Sequence, residues 1–272
     1  MAHSYERKDV LVSVEDVSLS FGVTQVLKPI NAEVRDLIRP EVCQGQIVGV
    51  LGPSGIGKTQ FSRILTGLQQ PTTGKVLVGG KPVRAGVVGM VAQSYPLFDH
   101  RTVQGNLMVA LEKSGLSKKA RVDRVREYLT RFNLADKASL FPDQLSGGQR
   151  QRVSIIRELL CSEHFIVMDE PFTGLDPVMK DRVCDLIIQV ANMHEDNTVF
   201  VVAHDIQSLV TISDTLWLFG RDRDQDGKPI PGAYVKKTYD LAERGLAWQP
   251  DLSKTRQFAD FCGEVRQAFE DL

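Results

Sequence analysis

Three short segments of the sequence carry residue types at spacings that can do phosphate chemistry. The first, Gly52-Pro53-Ser54-Gly55-Ile56-Gly57-Lys58-Thr59, fits G-x-x-x-x-G-K-[ST] without a gap. Its glycines let backbone N–H groups converge on phosphate oxygens. A helix starting at Lys58 would aim its positive N-terminal dipole at the same point. Lys58 is placed to neutralise β- and γ-phosphates, and Thr59 to offer a hydroxyl to Mg²⁺. The second segment is Phe165-Ile166-Val167-Met168-Asp169-Glu170, four apolar residues followed by two carboxylates. In open α/β sheets, ligands bind beyond the C-terminal ends of the strands. There Asp169 would hold Mg²⁺ through water, and Glu170 would polarise an attacking water as general base. The third segment is Leu145-Ser146-Gly147-Gly148-Gln149-Arg150-Gln151-Arg152. A serine and two glycines at a helix start make a second anion site. Loop, acids and metal together describe a site for ATP hydrolysis.

The third segment resembles the signature of ATP-binding cassette (ABC) proteins, and the order of phosphate loop, signature and acidic strand matches that family. The resemblance assigns further roles. Gln93 matches the glutamine-loop residue, a ligand of Mg²⁺ and water. His204 matches the switch histidine that contacts the γ-phosphate, and joins Glu170 as the catalytic pair. Asp176, in Gly174-Leu175-Asp176, matches the loop that crosses a dimer interface. Phe21 matches the aromatic that stacks on adenine. The nucleotide is then held by Phe21, by Gly52, Pro53, Ser54, Gly55, Ile56, Gly57, Lys58, Thr59 and Gln60, and by Gln93, with Ser146, Gly147, Gly148, Gln149 and Asp176 facing it from a second subunit. The metal set is Thr59, Gln93 and Asp169. Three departures stand out. Gln60 replaces the family's second hydroxyl residue, which reaches the α-phosphate, though its amide can donate. The segment Asp36–Cys43 looks like an insertion. The tail after Arg221 has no counterpart in a minimal cassette.

The family works as dimers, so one phosphate loop and one signature per chain imply a second ATPase subunit, as in a homodimer. Phe141-Pro142, Glu170-Pro171-Phe172, Tyr95-Pro96-Leu97-Phe98, Arg101-Thr102-Val103 and Asn106 resemble importer ATPases. That implies separate membrane-spanning permease subunits, a substrate-binding protein, and a place in the cytoplasm on the inner face of the membrane. Among importers the resemblance is to the nitrate, sulfonate and taurine group. The alternatives are an exporter or lipid-transport ATPase subunit and, in a different class, a soluble ABC mechanoprotein. A nucleotide-binding regulator without turnover fits poorly with Glu170 and His204 both in place.

The elements that must position these residues can be read from periodicity. Val10–Ser20 alternates apolar and polar, as a half-buried strand does. Gln46–Leu51, Phe165–Met168 and Thr198–Ala203 are short, nearly continuous apolar runs, the pattern of parallel strands buried on both faces. Val76–Val78, Val87–Ala92 and Thr215–Phe219 read as further strands. Helices are expected over Lys58–Leu68, Lys118–Phe132, Gln149–Leu160 and Thr255–Phe269. A turn is expected at Asp226-Gly227. The fold class this implies is α/β: a P-loop NTPase domain of ABC type over residues 10–220. It would have a RecA-like core, an antiparallel β subdomain and a helical signature lobe at about 95–160. Residues 221–272 would form a C-terminal extension.

Composition narrows the rest. The chain has 272 residues, 33 basic against 34 acidic, which offers nucleic acid no basic face. Cys43, Cys161, Cys184 and Cys262 form no CxxC pair, so reduced thiols are expected rather than zinc ligands or a disulfide scaffold. The N-terminus has no apolar core of a signal peptide. No apolar run approaches the ~20 residues of a membrane helix.

Overall fold

The six-residue stretches with almost no polar side chain are strands covered on both sides, and they form the centre of the molecule. A computed structural model describes residues 5–39, 44–162, 164–249, 251–270 and 272. In chain order the elements are β1 (Glu6–Phe21), β2 (Thr24–Ile38), β3 (Gln46–Leu51), α1 (Lys58–Leu65), β4 (Thr73–Val78), β5 (Lys81–Pro82), β6 (Gly89–Val91), α2 (Val103–Ala110), α3 (Lys118–Arg131), α4 (Gly147–Cys161), β7 (Phe165–Asp169), α5 (Pro177–Ala191), β8 (Thr198–Ala203), α6 (Ile206–Ile212), β9 (Thr215–Gly220), β10 (Tyr234–Asp240) and α7 (Arg256–Glu270). One sheet has the order β10-β9-β3-β8-β7-β6. Its members from β9 to β6 run parallel, and β10 joins β9 antiparallel. The C-terminal ends of β3, β7 and β8 therefore lie side by side. Every residue of β3 and β8 is buried.

Strand alternation distributes these residues between two cores. Val48, Val50, Phe200 and Val202 face one way. There α1, through Phe61, Ile64 and Leu65, and the antiparallel sheet β2-β1-β4-β5 cover them. Ile47, Leu51, Val199, Val201 and Ala203 face the other way. They meet the helical lobe, which buries Leu107, Leu129, Phe132 and Val153 in the same cluster. Side-chain caps start the lobe helices: Thr102 accepts from Gly105 N, Ser117 from Ala120 N and Ser146 from Gln149 N. Such caps satisfy amide groups that helix starts leave without partners.

Several expectations change. The helix expected to run to Leu68 stops at Leu65, because Gly67 turns the chain at φ 70° and the amides of Leu68 and Gln69 fold back onto Arg63 O. The strand expected at Val87–Ala92 pairs only over Gly89–Val91. The hairpin partner β2, the short strand β5, the helices α2, α5 and α6, and β10 are additional to the expected elements. Asp36–Ile38, expected in an insertion, complete β2, while residues 40–43 lie outside the described residues. The tail turns at Gly227, with φ 77° and its N–H on Asp224 O at 3.0 Å. Beyond it, however, β10 extends the main sheet, and α7 buries Phe258, Phe261, Cys262 and Val265 in the core shared with the lobe. Cys161, Cys184 and Cys262 are free thiols. No helix among the described residues is long and apolar enough to cross a membrane.

Candidate nucleotide site

The glycine loop begins where β3 ends. Gly52 N–H donates to Ala203 O at 3.3 Å, tying the loop to the end of β8. A Cβ at Gly52 would sit 2.9 Å from Phe219 Cβ and O, so no larger residue fits there. Gly55 and Gly57 hold φ of 74° and 119°, values that L side chains rarely adopt. Gly57 is the N-cap of α1 and no side chain caps that helix. Its first amides remain available to an anion, reinforced by the helix dipole. Ile56 turns its side chain into the core, so it can offer a ligand only backbone. Ser54 and Thr59 are exposed, and Gln60 is half-buried on the first turn of α1.

Lys58 is 4% exposed. Its Nζ donates to Gly52 O at 2.8 Å and Pro53 O at 3.0 Å and pairs with Glu170 Oε1 at 3.2 Å. The amine thus lies over its own loop, facing the acidic strand. Asp169 ends β7 and is buried. Burial raises its carboxyl above the usual range, and the Thr59 hydroxyl bonded to it acts the other way. Asp169 Oδ1 is buried without a hydrogen-bond partner. A buried carboxylate oxygen without a donor is costly unless a cation faces it. With the Thr59 hydroxyl beside it, this oxygen-only donor set suits a hard cation such as Mg²⁺.

Glu170 is the most constrained residue of the set. Its φ is 52°, unusual for a non-glycine, and its N–H donates to Val202 O at 2.7 Å. Its Oε2 lies 2.8 Å from His204 Nδ1 and 3.2 Å from Thr173 Oγ1. His204 follows β8 directly, so neighbouring parallel strands deliver acid and imidazole to the same point. An open cleft of about 800 Å³ is lined by Thr59, Gln93, Ser94 and Asp169 among others. Phe21 stands 52% exposed at the end of the β1–β2 hairpin. That hairpin borders the loop, since a Cβ at Gly57 would lie 3.2 Å from Val26 and Leu27.

The signature does not share this cleft. Ser146, Gly147 and Gly148 line a separate cavity of about 760 Å³ with Thr173, Met179 and residues of α5. Ser146 and Gln149 form a reciprocal capping box, with Ser146 N–H on Gln149 Oε1 at 2.9 Å. Gly147 is exposed with no atom near its missing Cβ. Asp176 caps α5 through Met179 N at 3.0 Å. Gln151, Tyr95 and Thr173 join the neighbourhood without having been assigned to the site from sequence. Gln151 Nε2 donates to Tyr95 Oη at 2.8 Å, and Tyr95 Oη donates to Pro171 O at 3.3 Å. Burial pushes the Tyr95 hydroxyl up to about 12. This chain of bonds ties the signature helix to the turn after Glu170. The available signal is Gln151 itself, a polar residue one helical turn beyond Gly147, whose amide the fold buries.

The fold and these motifs define a nucleotide-binding cassette. Residues 37–173, half of the chain, match the ABC transporter family model, and the chain belongs to that family. It is 34% identical over 80% of its length to the sulfate/thiosulfate import ATP-binding protein CysA of Thermosynechococcus vestitus, covering 64% of that protein. It is 34% identical over 71% of its length to the methionine import ATP-binding protein MetN of Corynebacterium jeikeium, covering 56% of it. With the Fe(3+) ions import ATP-binding protein FbpC of Rhizobium etli the identity is 34% over 93% of this chain and 66% of that protein. The chain therefore spans just over half to two thirds of the length of these curated relatives. The solved structure of cbiO1 from Clostridium perfringens, part of the ABC transporter complex cbiONQ, superposes with a TM-score of 0.71 over 96% of this chain and all of that one, at 21% identity, and so shares the fold.

Proposed function

We propose that this chain is the ATP-hydrolysing subunit of an ABC importer. It would work in the cytoplasm against the inner face of the membrane, with permease subunits and a substrate-binding protein. The observation that carries the reading is the meeting of Lys58, Asp169, Glu170 and His204 at the ends of β3, β7 and β8, around an uncapped helix start. Phosphate oxygens bind the loop amides and draw the Lys58 ammonium from Glu170 onto the β- and γ-phosphates. Thr59, Asp169 and Gln93 would hold Mg²⁺, which would supply neutralisation of phosphate charge. Glu170, freed of Lys58 and oriented by His204 and Thr173, accepts a proton from the attacking water, and His204 contacts the γ-phosphate. Phe21 stacks on adenine, and Gln60 donates toward the α-phosphate. Ser146, Gly147 and Gly148 line a different cavity from Thr59, which supports the reading that Ser146, Gly147, Gly148, Gln149 and Asp176 serve the nucleotide of a second copy. The import-protein relatives support importer over exporter, and other subunits choose the solute. The test is equilibrium binding of a labelled ATP analogue. Lys58→Ala should lose tight binding, since it removes the buried cation that faces the phosphates. Wild-type affinity in that variant would refute the site.

A further inference from the structure

At the end of the main sheet remote from the phosphate loop, two imidazoles and a carboxylate converge. His164 immediately precedes β7, and His194 and Asp196 lie in the turn between α5 and β8. The neighbouring parallel strands bring them together, and Thr198 N–H donates to His164 O at 2.8 Å. One ligand-capable atom from each of the three lies within 4.8 Å of the others. His194 Nδ1 and Asp196 Oδ2 are 3.4 Å apart. Tetrahedral Zn²⁺, with bonds of about 2.0–2.2 Å, has ligand–ligand edges of about 3.3 Å. One edge already has about this length, and the other two are no longer than 4.8 Å.

The hydrogen bonds orient the rings for coordination. Asn197 Nδ2 donates to Val190 O at 2.9 Å, which turns Asn197 Oδ1 toward His164 Nδ1 at 3.2 Å. That nitrogen must therefore donate, leaving the Nε2 lone pair free. An imidazole held through its second nitrogen is the usual arrangement around a metal. His194 Nδ1 accepts from Asp196 N–H at 3.3 Å, so it is the unprotonated nitrogen of its ring, and it faces the Asp196 carboxylate; a metal would take this lone pair in place of that long hydrogen bond. Two electron-rich atoms at that separation repel unless a proton or a cation lies between them.

We propose that His164, His194 and Asp196 form a binding site for a divalent transition-metal ion of the zinc type, with water completing the coordination. Two nitrogens and one oxygen suit Zn²⁺ and disfavour Mg²⁺, which prefers oxygen alone. The site is distinct from the oxygen set of Thr59 and Asp169 at the opposite ends of the strands. Binding would clamp the α5–β8 turn to the start of β7.

The test uses the full chain stripped with a chelator, in excess Mg²⁺ and without nucleotide, titrated with Zn²⁺ in competition with a chromophoric chelator. Thermal melts follow with and without Zn²⁺. One Zn²⁺ per chain and a Zn²⁺-dependent rise in Tm are expected. His194→Ala, at an exposed position, should melt normally without metal and bind Zn²⁺ at least ~10-fold more weakly. The double variant His164→Ala/His194→Ala should lose the Zn²⁺ effect on Tm. Equal Zn²⁺ affinity and stoichiometry in wild type and double variant would overturn the proposal, as would a wild type that binds no Zn²⁺.

Discussion

Glu170 is held from four directions: by Lys58, by His204, by Thr173 and through its own amide by Val202 O. A general base must keep one oxygen aimed at water while its other contacts set the angle. With Glu170 as the proposed base, His204 is the residue placed to do that aiming, through a 2.8 Å contact to Oε2. Misplacing a reacting group by about 1 Å costs on the order of 10²-fold. His204→Ala should therefore lower kcat by about that factor and leave ATP binding near wild type, as steady-state turnover beside equilibrium binding will measure. A turnover change of less than about twofold would remove His204 from the positioning role. The residue types were legible in the sequence because phosphate chemistry needs them in a fixed local order, as in Gly52–Thr59. Thr173 and Tyr95 were not assigned to the site. Their part depends on where the turn after Glu170 folds, and no spacing in the sequence records that.

At the scale of elements, the buried runs β3, β7, β8 and β9 declared themselves, since strands covered on both faces have no choice of residue. β2 and β10 were missed because their exposed faces carry charge, as in Glu33, Arg35, Lys236 and Lys237, which dilutes any apolar pattern. One unforeseen device holds β3 in place. The buried Asp214 accepts Ile47 N–H at 2.6 Å through Oδ2, and its own N–H donates to Ile47 O at 2.8 Å. Burial pushes its carboxyl from 3.8 to about 7, against the Ile47 amide, the Trp248 indole and Arg39. A carboxyl raised on folding favours the folded state when protonated. Its ionisation cost is absent below about pH 4 and grows until about pH 7, reaching on the order of a few kcal/mol. Asp214→Asn cannot ionise. Its stability relative to wild type, from denaturant titrations at pH 5 and pH 7.5, should rise with pH. A difference that does not change between the two pH values would contradict the assignment.

For the whole molecule, the boundary expected at residue 221 does not mark where packing ends. Tyr239, Leu241, Leu246, Phe258, Phe261 and Val265 are buried in the core that also holds the lobe. Each fully buried side chain of this kind contributes about 1.5–3 kcal/mol, against a typical total stability of about 5–15 kcal/mol. Truncation after Arg221 should abolish cooperative unfolding, seen as loss of the thermal transition by circular dichroism. A normal melt would show that the tail only decorates the cassette. The apolar face of α7 was readable from its spacing, but its partner was not, because the contact with α6 and β10 is made only once the chain has closed. With tail, sheet and lobe fixed together, the ends of the three parallel strands hold lysine, acids and histidine as one unit, the proposed nucleotide site. The direct test of that account is phosphate release by wild type and Glu170→Gln at saturating ATP and Mg²⁺, with ATP affinity measured alongside. The amide keeps the shape and removes the base, so turnover should fall ~10²–10⁴-fold with ATP binding retained. Equal turnover in the two proteins would contradict the assignment of Glu170 as the base.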